Sequence, residues 1–461
     1  MNAFGGELLL GETASAFRGV SIDSRTLQAG QLFICIRGER FDGHKFLREA
    51  LARNAAGVVL SDFQEMPADF LSTHTSRNLF VIRVPETLTA LQELARYHRQ
   101  RIAVRVVAVT GTNGKTTTKE MIASIAETTY RTLKTEGNLN NHIGLPLTLL
   151  QLKPDHEVAV LEMGMSAAGE IKRLAEIAGP EIGVITNISE GHLIQLKTLK
   201  NVQAAKGELF DALDASGTAV VNADDPLVYE LAQSLRAKKI SFGIDRIADV
   251  QAKDPRPGEE GYDFTANLFA QAFPVHTPFL GACNVYNALA AIAATHVLGV
   301  SPEKMAAGIA NTKLPANRYE IHRLGSMTII DDSYNANPRS MREALTTLMN
   351  HSATGRKIFA IGDMLELGES EQTAHDQLGE DIARQGVDIL IAVGELAALA
   401  AQSASEAGMG KDNVHAFRTR PEAVQFLQST LFEGDCLMVK GSRGAGMEQV
   451  VQSLLKTSAL R

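Results

Sequence analysis

The stretch that most constrains this chain is Val104-Arg105-Val106-Val107-Ala108-Val109-Thr110-Gly111-Thr112-Asn113-Gly114-Lys115-Thr116-Thr117-Thr118. A short apolar, β-branched run enters a glycine-punctuated turn, then Lys-Thr, then an amphipathic segment carrying Met121, Ile122, Ile125 and Ala126. Strand, loop and helix in this order make a phosphate-binding loop. Backbone N–H groups and the positive helix end cradle phosphates, the lysine reaches the outer ones, and the threonine hydroxyl meets Mg²⁺. The strict pattern wants a glycine where Val109 stands, so Gly111 to Thr116 is a variant loop. The plainer alternative is a strand and helix joined by a flexible turn, with Lys115 solvated.

A chain of 461 residues is too long for one core and implies three domains, at about 150 residues each. Apolar content of 45% and charged content of 21% are ordinary for a globular protein. The net charge of −8 leaves no basic footprint, so no nucleic-acid partner is expected. Cys35, Cys283 and Cys436 lie far apart, which argues against a disulfide framework or a zinc site. There is no basic leader followed by an apolar stretch and no run of ~18 apolar residues. No integral membrane segment and a cytoplasmic location are therefore expected. Nothing in the sequence marks an oligomer, and a monomer is the expectation.

The pattern is α/β throughout. Residues 1–85 read as a small α/β domain with strands at Gln31–Ile36 and Gly57–Leu60 and a helix over Phe46–Arg53. A linker helix, Thr87–Ile102, follows. Residues 103–314 alternate strands and helices, which predicts a mainly parallel sheet covered on both faces. Alternation over Tyr262–Leu280 adds an antiparallel piece, and Asn284–Leu298 is an Ala-rich helix. Residues 315–461 repeat the α/β pattern as a Rossmann-like domain, with strands at Met327–Ile330, Lys357–Ile361, Ile389–Val393 and Cys436–Val439. Asp254-Pro255-Arg256-Pro257-Gly258-Glu259 is the most linker-like segment.

Ligands of parallel sheets gather at the carboxyl ends of the strands. Glu162 ends one such strand and the Asn187–His192 loop follows another, so both point to the edge that carries Lys115. Mg²⁺ takes oxygen ligands, which makes Thr116 and Glu162 candidates and His192 a weaker one on chemistry alone. Lys206 by itself reads as a helix lysine with its stem on apolar surface. Asp331 and Asp332 end a strand before Ser333-Tyr334-Asn335-Ala336-Asn337-Pro338, and are equally explained by helix-start chemistry. Ser24, Arg25 and the Arg37–His44 segment suit either an anionic ligand or simple turns.

Taken together these stretches resemble the Mur ligases, ATP-dependent amide-forming enzymes of peptidoglycan precursor synthesis, over essentially the whole chain. Four stretches sharpen the resemblance to one branch: Arg37-Gly38-Glu39-Arg40-Phe41-Asp42-Gly43-His44, Glu136–Pro146, Asp331–Pro338 and Gly362–Gly368. That branch joins D-alanyl-D-alanine to UDP-N-acetylmuramoyl-tripeptide. The sibling that adds diaminopimelate carries an Asp-Asn-Pro-Arg signature, which Asn335-Ala336-Asn337-Pro338-Arg339 does not match.

The resemblance implies roles residue by residue. Gly111, Thr112, Asn113, Gly114, Lys115, Thr116 and Thr117 would hold ATP, with Asn287 and Arg318 around adenine and phosphates and Asp332 reaching the nucleotide from the third domain. Thr116, Glu162 and His192 would hold Mg²⁺. Lys206 would take up CO₂ as a carbamate and become a further oxygen ligand. Ser24, Arg25, Asp42, Gly43 and His44 fall in the domain that binds the uridine diphosphate, and Asn138 and Asn141 near the muramyl group. The third domain would receive the incoming dipeptide, and domain closure would assemble the site. Two other readings stay open. One is a sibling ligase that adds a single amino acid, or glutamate to a folate. The other is a phosphate-loop switch or transport ATPase with no amide product.

Overall fold

The computed structural model describes residues 5–12, 16–38, 41–62 and 79–458. Glu39 and Arg40 of the Arg37–His44 stretch lie outside the described residues.

The central sheet has nine strands, in the order Gln271–Thr277, Tyr262–Leu268, Val250–Pro257, Lys238–Gly243, Thr218–Asn222, Ile182–Ile185, Arg105–Thr110, Val158–Glu162 and Thr132–Lys134. Thr218–Asn222 runs parallel to both Ile182–Ile185 and Lys238–Gly243, and the Tyr262–Leu268/Gln271–Thr277 pair is an antiparallel hairpin. Every residue of Val158–Glu162 and of Ile182–Ile185 is buried. That explains why their sequences read as unbroken apolar runs rather than alternating ones. In the hairpin, by contrast, burial alternates residue by residue over Tyr262–Leu268 and from Ala272 to Thr277, as the sequence pattern predicts.

One expectation is overturned. The Asp254–Glu259 segment is no linker, because its first four residues belong to the strand Val250–Pro257. Pairing of this strand with Lys238–Gly243 involves only Val250 and Gln251, so Pro255 and Pro257 have no donor to supply on that side. The register to Tyr262–Leu268 shifts between Lys253 and Arg256, where Asp254 takes a φ of +50°. A bulge absorbs the prolines.

The chain forms two compact units, Met1–Ala108 with Tyr130–Gly164 and Glu170–Pro180, and Val109–Thr129 with Met165–Gly169 and Glu181–Arg461. The first contains a five-stranded sheet in the order Glu7–Leu10, Phe80–Arg83, Gly57–Leu60, Leu32–Ile34 and Val20–Ser21. Phe33, Val58 and Leu60 fill one face of it and Ile34, Val59 and Leu91 the other. The helix Thr87–Gln100 starts where Glu86 accepts hydrogen bonds from the backbone N–H groups of Leu88 and Thr89.

The second unit contains a six-stranded sheet in the order Glu320–Leu324, Met327–Asp331, Cys436–Lys440, Lys357–Gly362, Ile389–Val393 and Val414–Phe417. Only Glu320–Leu324 is antiparallel to its neighbour. One apolar layer joins the sheet to the helices Pro338–Asn350, Glu371–Gln385 and Glu395–Glu406, and a second joins it to Arg420–Thr430 and Glu448–Ser458. Helices on both faces of a parallel sheet give the expected Rossmann-like layering. Among the described residues no helix is long and apolar enough to cross a membrane.

Candidate active site

The phosphate loop connects Arg105–Thr110 to the helix Lys115–Glu127. Two glycines make it possible. Gly111 has a φ of +148°, and a Cβ there would lie 1.9 Å from Thr186 Oγ1. Gly114, the N-cap, is left-handed at +79°, and a Cβ there would lie 2.3 Å from Asn287 Oδ1. Only glycine fits both the backbone and the space.

The segment after Ile182–Ile185 straps the loop down. Asn113 N–H donates to Asn187 Oδ1 at 3.0 Å, while Asn113 O accepts from Thr186 Oγ1 at 2.6 Å and Asn187 Nδ2 at 3.0 Å. Thr112 exchanges hydrogen bonds with Ser189, its Oγ1 donating to Ser189 O at 3.1 Å and accepting from Ser189 N–H at 3.0 Å. The Ser189 hydroxyl itself is buried without a hydrogen-bond partner. Behind the loop, Thr118 Oγ1 donates to Asn287 Oδ1 at 3.1 Å, and Asn287 Nδ2 donates to Asn284 Oδ1 at 2.9 Å. Asn287 therefore braces the first turn of the loop's helix.

Lys115 Nζ donates to the carbonyl oxygens of Gly111, at 2.9 Å, and Thr112, at 3.1 Å. Lys206, on the helix Leu199–Asp211, is 2% exposed and donates to Gly111 O at 2.8 Å. Burial, with the Lys115 charge adding to it, pushes the Lys206 ammonium well below the ordinary lysine range. A buried lysine with a lowered pKa is what the sequence alone read as a routine surface-stem lysine.

Arg318 Nη2 donates to Thr116 Oγ1 at 3.1 Å, and its guanidinium lies 4.0 Å from the centre of the Tyr334 ring. Arg318 Nε is buried without a partner. Asp332 is buried with Lys440, whose Nζ donates to its carboxylate at 2.5 Å. Burial raises the Asp332 carboxyl above its ordinary range, with Lys440 opposing. His192 pairs with Glu366 at 3.1 Å, and both have left-handed backbones, at φ +56° and +66°. The second unit thus brings together Gly111, Thr112, Asn113, Gly114, Lys115, Thr116, Lys206, Asn287 and Arg318.

In the first unit, Glu162 is buried at the end of its strand. Asn140 Nδ2 donates to its Oε1 at 2.6 Å, and its Oε2 is buried with no partner. Asn138 is exposed, and Asn141 Oδ1 accepts from the N–H groups of Ile143 (3.1 Å) and Gly144 (2.9 Å), where the helix Gly144–Leu149 begins. Ser24 donates to Glu49 Oε2 at 2.7 Å. The exposed Arg25 pairs with Asp23, whose carboxyl falls to about 2 because of that hydrogen-bonded guanidinium. Asp42 accepts from Arg37 at 2.8 Å and holds His44 Nδ1 at 2.6 Å. Burial works against its ionisation, yet the bonds from His44 and Arg37 bring it to about 2. Gly43 sits where a Cβ would come within 2.9 Å of the Cys35 backbone.

The sequence gives no individual site role to Asn140, Asn187, Glu366 or Asn337. Asn140 carried a signal, lying between Asn138 and Asn141; the partners of the other three are remote in the chain.

A strapped phosphate loop on a mainly parallel sheet, followed by a Rossmann-like sheet domain, defines a nucleotide-dependent α/β enzyme. Residues 16–99 match the family described as Mur ligase family, catalytic domain, residues 109–295 the Mur ligase middle domain, and residues 317–443 the Mur ligase glutamate ligase domain. The chain belongs to the Mur ligase family. It is 39% identical, over 96% of its length and 94% of the relative's, to the UDP-N-acetylmuramoyl-tripeptide–D-alanyl-D-alanine ligase of Bacillus subtilis (strain 168). MurF from Acinetobacter baumannii superimposes with a TM-score of 0.88 at 32% identity, covering 99% of this chain and 97% of that one. MurF from Thermotoga maritima, solved with ADP, superimposes at 0.85 and 26% identity, covering 98% and 100%.

Proposed function

We propose that this chain is the ATP-dependent ligase that joins D-alanyl-D-alanine to UDP-N-acetylmuramoyl-tripeptide, giving the UDP-linked pentapeptide, ADP and phosphate. The near-full-length likeness to the Bacillus subtilis ligase of that name carries the reading, and the Thermotoga maritima complex with ADP supports the nucleotide. The test is direct: the chain, ATP and both substrates are incubated, and the mass of the product is that of the pentapeptide precursor.

The terminal carboxylate of the tripeptide attacks the γ-phosphorus of ATP; an O–P bond forms, the bond to ADP breaks, and an acyl phosphate results. The free amine of the dipeptide then attacks that carbonyl carbon. A C–N bond forms, the amine gives up a proton, and phosphate leaves. No protein nucleophile is needed, so the task is to hold two anions together and neutralise them. Lys115 exchanges its contacts with the Gly111 and Thr112 carbonyls for phosphate oxygens. Loop N–H groups of residues 111–117 cradle the phosphates, Asn287 and Arg318 bound the nucleotide, and Asp332 approaches it from the third domain.

The residues present fit Mg²⁺. Glu162 offers a buried oxygen with no other partner, and Thr116 offers a hydroxyl in the loop's first turn. Oxygen donors of this kind suit the ion, which would neutralise phosphate charge when bound. His192 joins the proposed set. Lys206 joins it as a carbamate, formed when its neutral amine adds to CO₂ and loses a proton; its burial favours the neutral amine this requires. Ser24, Arg25, Asp42, Gly43 and His44 would take the uridine diphosphate, and Asn138 and Asn141 the muramyl group. The proposed division is a uridine-nucleotide domain (1–85), an ATP domain (103–314) and a dipeptide domain (315–461), closing over the substrates as a monomer. Its ATP and nucleotide-linked substrate put the reaction in the cytoplasm.

A further inference from the structure

We propose that Asn337, in the third sheet domain, is a positioning residue for the phosphate loop and acts through Asn113. The inference rests on the nucleotide-binding reading above. The two side chains, 224 residues apart, form a reciprocal amide pair. Asn113 Nδ2 donates to Asn337 Oδ1 at 3.3 Å, and Asn337 Nδ2 donates to Asn113 Oδ1 at 2.7 Å. Because each donor meets an acceptor, the pair fixes the orientation of both amides.

Neither end is loose. The Asn113 backbone is held from its other side by Thr186 and Asn187. Asn337 is buried and is the N-cap of the helix Pro338–Asn350. Its Oδ1 accepts from Ser340 N–H at 2.9 Å, and its own N–H donates to Ser340 Oγ at 3.0 Å, closing a capping box. Pro338 then fixes the next φ. The start of one helix thus anchors the middle residue of a loop that belongs to another domain. A loop already ordered needs no ordering when its ligand arrives, so affinity gains. Asn337 need touch no part of the nucleotide to do this.

Asn337→Asp and Asn337→Ser test it, since both residues cap helices well. Asp lacks the donor for Asn113 Oδ1, and Ser is too short to reach. The expected result is a KM for ATP, and a Kd for a non-hydrolysable ATP analogue by calorimetry, about three- to tenfold higher, on the scale of one or two lost hydrogen bonds. At saturating ATP, kcat falls less than KM rises. A thermodynamic cycle guards against a merely structural effect: Asn113→Ala/Asn337→Ser loses no more affinity than Asn113→Ala alone. Wild-type affinity in both Asn337 variants, or additive losses in the cycle, overturns the inference. Lys115→Ala separates it from the reading beneath: if Lys115→Ala binds the analogue like wild type, nucleotide binding at this loop is wrong. If only Lys115→Ala loses affinity, the loop reading stands and the role of Asn337 does not.

Discussion

Lys115 and Lys206 donate to one and the same acceptor, the carbonyl oxygen of Gly111, at 2.9 and 2.8 Å. Burial, with repulsion from the Lys115 charge adding to it, lowers the Lys206 pKa well below the ordinary lysine value. The pair leaves Lys115 half-buried and Lys206 buried with a lowered pKa. Both properties arise from a helix lysine placed under a loop it is remote from in sequence.

For Lys115→Ala the expected outcome is a loss of at least about a hundredfold in ATP-dependent phosphate release, the scale of removing a preorganised charge from a reacting phosphoryl group. Melting temperature stays near that of wild type, because Lys115 is only half-buried. Release assays and calorimetry on the same preparations check both halves.

Lys206 makes stability depend on alkaline pH with a definite sign. Its folded pKa lies below the ordinary 10.5, so between those values the unfolded chain binds the extra proton and folding releases it. Its contribution therefore improves as pH rises through that window, by at most about 1.4 kcal/mol per unit, and is flat above 10.5. Lys206→Met removes this slope. Melting temperatures of variant and wild type from pH 7 to 10 should converge as pH rises if Lys206→Met is the more stable at pH 7. In the activity assay, Lys206→Ala is expected to be nearly inactive and to recover in part with short carboxylic acids, which replace the carbamate oxygens.

The Asp332–Lys440 pair is buried on both sides, so breaking it costs more than the pair contributes. Lys440→Met alone strands a carboxyl and is expected to destabilise the third domain by about 3–5 kcal/mol. Asp332→Asn/Lys440→Met should recover a large part of that loss in denaturant melts, without recovering turnover.

His192 and Glu366 are a third and more than half exposed, respectively. An exposed pair of this kind contributes at most about 1 kcal/mol, yet both residues hold left-handed backbones. Strain of that sort collects at functional sites. Glu366→Ala is therefore expected to leave the melting temperature within a few degrees of wild type while lowering kcat several-fold, as steady-state kinetics would show.

Much of this was legible in the sequence because its signals are local. The loop announces itself through Gly111, Gly114 and Lys115, and the strands of all three sheets through short buried runs such as Ile389–Val393, whose limits coincide with those expected. The misread segment, Asp254–Glu259, shows the limit of composition: two prolines look like a linker until the unpaired side of the strand is known. Long-range chemistry was less visible. Nothing in Leu199–Asp211 distinguishes a buried Lys206 from a lysine with a solvated head. Asn337 reads as a helix cap, which it is, and its hold on Asn113 depends on how the chain returns 224 residues later. The family resemblance drew attention to Lys206, but it pointed to no contact between Asn337 and Asn113.

The central claim is that ATP is spent to join two specific partners, and acceptor-dependent phosphate release tests it most directly. With ATP, Mg²⁺ and UDP-N-acetylmuramoyl-tripeptide, sustained phosphate release should appear only when D-alanyl-D-alanine is added, with one phosphate formed per pentapeptide. Steady release without the dipeptide, or release driven equally well by a single amino acid, would contradict the account.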